Sequence, residues 1–388
     1  MRRTIKYSFT AAMSLAMLMT LAGCGSKTLQ KESVLDTPDN HYSQGMRELD
    51  RGNMAAAKGE FERAKAIDPN YAEAYAGLGL ALAHEGQYDK ALDMVNDGLG
   101  KNDKSVECRI GKGRILAMQR KGDDWLNDAV EEFNKAIKVN PNSDKAYFYI
   151  GEANKVAHKF DLAANAYSKA IGMKGDYAER ANEQWAIVQK IQRAAPGTKV
   201  GADIALIPEI DRADLAVLLM EEMKLTEVFA KKRQPTYDTG YQAPDDPTKM
   251  QTIETQQMAA YTDVPDNYWA KNWIADIVKI GGMEAFPDHT FRPDEKITRA
   301  NYAMVMQGIL LAATGDKTLA TKYVGGESRF PDVRSDHFAY NSMALMLDRG
   351  IMNADKMSGA FNPEGHMSGA DALLAIRDFQ NALRLEFK

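Results

Sequence analysis

The chain is 388 residues long, 45% hydrophobic and 27% charged, with a formal net charge of −5. That length supplies several hydrophobic cores, and an acidic balance without any basic block excludes the electrostatic footprint of a nucleic-acid binder. Two cysteines in the whole chain exclude a disulfide framework as the source of stability.

Arg2, Arg3 and Lys6 precede a short apolar run, Phe9 to Leu21, which is too short to cross a bilayer and reads as a signal peptide over residues 1–23. It ends in Leu21-Ala22-Gly23-Cys24, which resembles a bacterial lipobox. The resemblance implies cleavage before Cys24, a diacylglyceryl group on its thiol and attachment to a membrane through that lipid. Each buried methylene contributes about 0.8 kcal/mol, so several acyl chains hold firmly. Gly25, where sorting to the inner membrane would use Asp, implies by resemblance to enteric lipoproteins an outer-membrane protein facing the periplasm. Removing Arg2, Arg3 and Lys6 takes the net charge to −5 − 3 = −8. Cys108 is then unpaired. Residues 24–37 read as the lipidated cysteine and a polar linker.

From about Pro38 to Tyr177 the sequence repeats itself. Gly45, Gly79 and Gly113 are 34 residues apart, as are Gly52 and Gly86, and Ala57 and Ala91. Ala64, Ala136 and Ala170 share a phase once four extra residues near Arg120 to Trp125 are allowed for. A 34-residue period with helix–turn–helix chemistry resembles the tetratricopeptide (TPR) repeat. Small residues mark each first helix: Gly45, Gly79, Gly113 and Gly151. Each second helix carries a small residue and then a larger one: Ala57 and Phe61, Ala91 and Val95, Ala129 and Phe133, Ala163 and Tyr167. Pro69 and Pro141 end two units. Four units follow, about 38–71, 72–105, 106–143 and 144–177, with Ala178 to Ala195 as a capping helix that completes a domain over 38–195. The resemblance implies a concave groove lined by Tyr42, Met46, Ala76, Leu80, Ile110, Arg114, Phe148 and Glu152. The Lys and Asn set with which some members hold a peptide carboxylate is missing. The groove reads as mostly apolar, which implies an apolar peptide or helix of a protein partner as ligand.

Further on, Tyr261, Asp263 and Val264 lead to Trp269-Ala270, Gly281-Gly282, Phe291-Arg292-Pro293-Asp294 and Thr298-Arg299-Ala300. This run resembles the S-layer homology (SLH) domain, a module that holds bacterial surface proteins onto wall polymers, and marks a unit over 261–311. A divergent unit over 330–385 follows: Phe330-Pro331-Asp332-Val333, His337-Phe338-Ala339, Gly350, Phe361-Asn362-Pro363-Glu364 and Met367-Ser368-Gly369. There Gly369 stands where the pattern has Arg, and Phe338 where it has Trp. Such units work in threes, as a three-sided prism, so a third is sought upstream. Ile210-Asp211-Arg212-Ala213 matches the start of the Thr-Arg-Ala helix and defines a partial unit over 201–231, with Asp211 as its N-cap. Trp185-Ala186 either opens that unit's first helix or belongs only to the solenoid's cap. Residues 232–260, rich in Thr, Gln, Pro and Asp, read as a linker.

In the SLH family the arginine after the Thr meets the carboxylate of an anionic wall glycan, since a guanidinium matches a carboxylate in two-point fashion. Carried onto this chain, the wall-binding candidates are Arg299 and Arg212, with Trp269 beside them. The ligand implied is a pyruvylated glycan or peptidoglycan. Asp263 and Thr298 read as structural caps. No enzyme motif is visible. Gly111-Lys112-Gly113 lacks the spacing of a phosphate loop, no Gly-x-Ser-x-Gly elbow or His-Glu-x-x-His pattern occurs, and Asp288-His289 sits in a turn. The expectation is an all-α, non-enzymatic envelope lipoprotein without cofactor or metal: a TPR solenoid followed by two clear SLH units and one partial unit. Two roles are compatible with it. One is a tether between membrane and wall that recruits a protein. The other is an accessory factor of a secretion, pilus or polysaccharide-export assembly with a degenerate SLH anchor.

Overall fold

The computed structural model describes residue 34 and residues 36–230 and 261–386. The signal segment, Cys24 and the 232–260 linker lie outside them. Among the described residues the fold is all-α, with two isolated bridges, Asp211 to Lys296 and Thr298 to His366. No described helix is long and apolar enough to cross a membrane. By its contacts the chain divides into two units. The first runs to Ala157 and includes Ala166–Ala181; the second takes His158–Asn165 and everything from Asn182 onward.

The first unit is a stack of helical hairpins: α1 (Pro38–Asp50) with α2 (Met54–Ile67), α3 (Ala72–His84) with α4 (Tyr88–Lys101), α5 (Val106–Gln119) with α6 (Trp125–Val139), then α7 (Asp144–Val156). It also takes the later part of α8 (Phe160–Met173) and the start of α9 (Ala178–Ala194). Side-chain caps start several of these helices. Thr37, Ser105 and Ser143 each accept from the backbone N–H three residues on, which satisfies a donor the helix leaves open. The four extra residues of the third repeat lie between α5 and α6, where Arg120 and Gly122 both take positive φ and end the helix sharply.

The repeat has a physical basis. A Cβ built on Gly45 would fall 2.4 Å from the Phe61 ring, on Gly79 2.5 Å from Val95, on Gly113 2.5 Å from the Phe133 ring, and on Gly151 2.4 Å from the Tyr167 ring. Each first helix therefore yields a side chain so that the second helix can insert a larger one. Phe61, Val95, Phe133 and Tyr167 are all fully buried, as are Ala57, Ala91, Ala129 and Ala163. Burying one such side chain contributes roughly 1.5–3 kcal/mol. First helices α1, α3, α5 and α7 pack on one another in series, while second helices pack on first helices. The first helices thus form the inner layer.

The second unit is built from three copies of one motif around a common centre. Its α-helices are the start of α8, the end of α9, α10 (Lys199–Ala205), α11 (Arg212–Glu221), α12 (Leu225–Ala230), α13 (Lys271–Lys279), α14 (Arg299–Thr314), α15 (Tyr340–Asp348) and α16 (Gly369–Glu386). In each copy one residue precedes the N-cap of a central helix: Ile210, Ile297 and Met367. These three close a ring of backbone hydrogen bonds. Ile297 N–H donates to Ile210 O at 3.0 Å, Met367 N–H to Ile297 O at 2.9 Å, and Ile210 N–H to Met367 O at 2.9 Å. The next residues, Asp211, Thr298 and Ser368, cap α11, α14 and α16 by accepting from Asp214, Asn301 and Asp371 N–H. A first copy is therefore present as a full partner in the ring, although its sequence is the least regular.

Its first helix differs from the expectation in register. Ala186 is exposed, whereas Ala270 and Ala339 are fully buried. The Trp185-Ala186 pair therefore does not take the place of Trp269-Ala270. Instead α9 enters this core through Ile191 and Ala194, fully buried at the three-residue spacing that Ile274 and Ile277 show on α13.

Candidate functional site

The residues expected to line a groove lie on the first helices α1, α3, α5 and α7, and half of them are buried. Leu80, Ile110 and Phe148 are withdrawn into the core at 2%, 1% and 4% exposure, and Ala76 with them. They hold helices together and present nothing to a ligand. Met46 packs partly buried against the N-terminal core. Glu152 turns toward its own hairpin, where Tyr167 Oη donates to it at 2.6 Å and Lys155 Nζ at 2.9 Å.

Tyr42 and Arg114 do meet a common cluster. Tyr42 Oη donates to Glu107 at 2.9 Å, and Lys145 pairs with the same carboxylate. Burial, with Glu107 beside it, pushes the Tyr42 phenol well above its usual range. The Arg114 guanidinium lies 4.5 Å over the Tyr149 ring, and its Nη1 is buried without a hydrogen-bond partner. Tyr149 packs 5.9 Å from Tyr177, and Arg180 rides over Tyr177 and Phe148 at 5.1 and 5.2 Å. The groove is thus aromatic and charged rather than apolar, which corrects the expected ligand class. Glu107, Lys145, Tyr149 and Tyr177 were missed because they sit beside, not on, the positions at which the repeat family marks its groove. Cys108 is a free, fully buried thiol that burial pushes up to about 11, so it is packing rather than chemistry.

In the second unit the expected wall-binding arginines have the same surroundings as each other. Arg212 Nε donates to Phe291 O at 2.8 Å and Nη2 to Glu284 O at 2.9 Å, with the guanidinium 4.7 Å over the Phe291 ring. Arg299 Nε donates to Phe361 O at 2.7 Å and Nη2 to Asn353 O at 2.6 Å, 4.7 Å over the Phe361 ring. Each arginine staples its own copy to the loop of the next. Asp263 and Asp332 hold those loops in turn. Asp263 accepts from Phe291 and Arg292 N–H at 2.9 and 2.6 Å, and Asp332 from Phe361 and Asn362 N–H at the same distances. They clamp Arg292 and Asn362 at φ 55°, a left-handed backbone that needs such fixing. Asp263 is therefore a loop clamp and not a helix cap, whereas Thr298 caps α14 as expected. Asp288 likewise closes a turn at His289 by accepting from Thr290.

Gly369 shows why the third arginine is missing. Its N–H donates to Ile207 O at 2.8 Å, and a Cβ there would fall 1.8 Å from Ile204 O. The closing joint has moved two turns along α16 to Arg377, a residue the sequence did not mark. Arg377 donates to Ala194 O, Ala195 O, Glu222 O and the Glu222 carboxylate, the last at 2.6 Å. Glu222 is 3% exposed and also accepts from Gly197 N–H, Thr198 N–H and Thr198 Oγ1.

Trp269 lines a different cleft from Arg212. It is 50% exposed and lines a separate cleft of about 430 Å³ with Tyr268, Asp203, Asp211, Asp214, Asp294 and Lys296. Four carboxylates there face one lysine. Burial, with Asp211 alongside, pushes Asp214 up to about 6. The cleft offers an aromatic platform and hydrogen-bond acceptors, which suits sugar hydroxyls and amides and opposes an anionic ketal. Phe338, its counterpart in the third copy, is 71% exposed and stacks on His337. No group of side chains suited to a metal occurs among the described residues.

Parts of the chain match known families. A tetratricopeptide-repeat profile matches residues 48–114, and an S-layer homology domain profile matches 260–303 and 329–373. Cell surface glycoprotein 1 of Acetivibrio thermocellus is 27% identical over 124 residues, 31% of this chain and 5% of that protein. Heat shock protein STI1 of Saccharomyces cerevisiae is 25% identical over 197 residues, 47% of this chain and 32% of that protein. The chain thus spans less than a third of either relative. Among solved structures, a thermophilic TPR protein of Thermus thermophilus is 16% identical with a TM-score of 0.35, covering 50% of this chain and 96% of that one. PilF of Pseudomonas aeruginosa is 17% identical with a TM-score of 0.31, covering 50% and 89%. The chain contains a TPR domain and an SLH domain, both non-catalytic architectures, and the SLH domain associates it with the cell envelope.

Proposed function

We propose that this protein is an adaptor of the cell envelope, in which the SLH region fixes position at the wall and the TPR groove recruits a component of a secretion, pilus or polysaccharide-export assembly. The observation that carries this reading is the contrast between the two candidate sites. The groove keeps a guanidinium with an unpartnered, buried nitrogen among tyrosine rings, at Arg114. The SLH arginines, Arg212 and Arg299, are committed to backbone carbonyls and hold the fold. The wall component that suits the Trp269 cleft is an uncharged stretch of glycan, such as the N-acetylated sugar backbone of peptidoglycan, because four aspartates there repel an anion. Attachment to the outer membrane through Cys24, facing the periplasm, belongs to the same reading.

The test places a photo-crosslinking residue at Tyr42 or Arg114, and in parallel on the outer layer at Val139, which is 45% exposed. Crosslinks from the groove to subunits of one export assembly are expected. Crosslinks from the outer layer alone, with none from the groove, would refute it. A second reading, a tether between membrane and wall, draws on the exposed Trp269. It is preferred if the full chain sediments with native sacculi while no groove crosslink forms.

A further inference from the structure

We propose that His41 is a proton-operated latch that fastens the chain segment entering the solenoid, at Asp36, to the first helical hairpin. The inference goes beyond the adaptor reading and does not depend on it. His41 stands on α1 between two carboxylates. Its Nδ1 lies 2.6 Å from Glu60 Oε2 on α2, and its Nε2 lies 2.8 Å from Asp36 Oδ1, which precedes α1. Ionised carboxylates only accept hydrogen bonds, and a neutral imidazole has a single N–H to give. Both contacts are therefore hydrogen bonds only in the imidazolium. When the ring loses a proton, a bare nitrogen faces one of the carboxylates, and attraction becomes lone-pair repulsion.

The surroundings keep the carboxylates charged and the interaction unscreened. The His41 side chain is 17% exposed and Asp36 only 6%. Arg63, also on α2, donates Nε to Asp36 Oδ1 at 3.1 Å and Nη2 to Oδ2 at 2.5 Å. Among the described residues the charged groups facing the latch are Asp36 from the entering segment and Glu60 and Arg63 from α2. Burial opposes the imidazolium, but the bonds to Glu60 and Asp36 outweigh it, and the ring titrates above its usual value. A raised folded value fixes the sign. The latch is fully closed below the ordinary histidine range and opens as pH rises through the raised value. Between those two points its opening constant grows with pH, at most about tenfold per pH unit. Two features sit on the latched segment: Thr37, which caps α1 by accepting from Asn40 N–H, and Tyr42, which enters the groove cluster.

The experiment is a ring-proton titration of the full chain with labelled histidine, assigned by the signal lost in His41→Gln. It is paired with hydrogen exchange at the His41 and Tyr42 amides, corrected for intrinsic rates. His41 is expected to titrate above about 6.5, with opening that rises with pH over the same interval. Glu60→Gln is expected to lower the titration point and move the opening curve to lower pH, while leaving exchange in α5 and α6 unchanged. A ring that titrates at or below the free-histidine value overturns the proposal. So does opening that stays flat while His41 titrates.

Discussion

In the solenoid, neighbouring helices meet through side chains: a glycine or alanine on one gives way to a ring or valine on the next. In the second unit the three copies meet through main chain, in the ring of Ile210, Ile297 and Met367, and arginine staples fasten each copy's helix to the loop of another. The first arrangement is a linear series, so each hairpin depends on the ones beside it. The second is closed, so each joint bears on the others. The difference teaches what a repeat records in sequence. Steric complementarity leaves a residue type at a fixed phase, whereas a main-chain ring leaves almost no signature.

That contrast can be broken at its strongest points first. Arg377→Ala leaves the buried Glu222 carboxylate without its cation, at a cost of about 3–5 kcal/mol. The expected outcome is loss of the second unit's cooperative melting transition while solenoid helicity survives. Melting of both units in parallel would show that the closing joint is not local. Phe61→Ala opens a cavity against Gly45 and is expected to cost about 3–5 kcal/mol in chemical denaturation, with protection lost in α1 to α3 before α6 and α7. Arg299→Ala removes two charge-assisted bonds to carbonyls, worth roughly 1.5–3 kcal/mol each. It is expected to lower stability, and reduced wall retention should follow only in step with unfolding. Lost sacculus binding at unchanged stability would return Arg299 to the ligand site.

Two smaller effects sharpen the comparison. Asp214 is held up to about 6, chiefly by burial, so its contribution is complete below the ordinary carboxylate range and fades as pH rises from about 4 through about 6. Asp214→Asn is expected to flatten the pH dependence of the second unit's stability across that interval, with the solenoid's unchanged. Trp269→Ala, at a half-exposed position, is expected to change stability by less than about 0.5 kcal/mol. A selective fall in sedimentation with sacculi then marks the cleft as a contact; unaltered sedimentation removes it.

Much of the fold was legible because packing leaves residue types behind. Gly45, Gly79, Gly113 and Gly151 face Phe61, Val95, Phe133 and Tyr167 at one period, and both members of each pair are visible in the chain. The arginines after Asp211 and Thr298 were equally visible, yet their partners are carbonyls, which every residue has. Sequence therefore showed the donors and not what receives them. Arg377 gave no signal, since Ala194 and Glu222 are distant and no local pattern links them. In the groove, family positions pointed at Leu80, Ile110 and Phe148, which tight packing draws inward, and passed over Glu107 and Lys145 alongside.

The closing staple also sets a schedule for the growing chain. Arg377 bonds to the carbonyl of Ala194 across 183 residues, whereas the solenoid's packing joins hairpins that are consecutive in the chain. Contacts that distant form late and slowly. While a chain is being made or exported, the hairpins from residue 38 onward have their partners as soon as they emerge. The ring at Ile210 and Ile297 must wait, with the Ile210 N–H lacking its acceptor, until Met367 arrives. A chain interrupted before residue 367 would thus carry a complete solenoid with a second unit still missing a third of its ring.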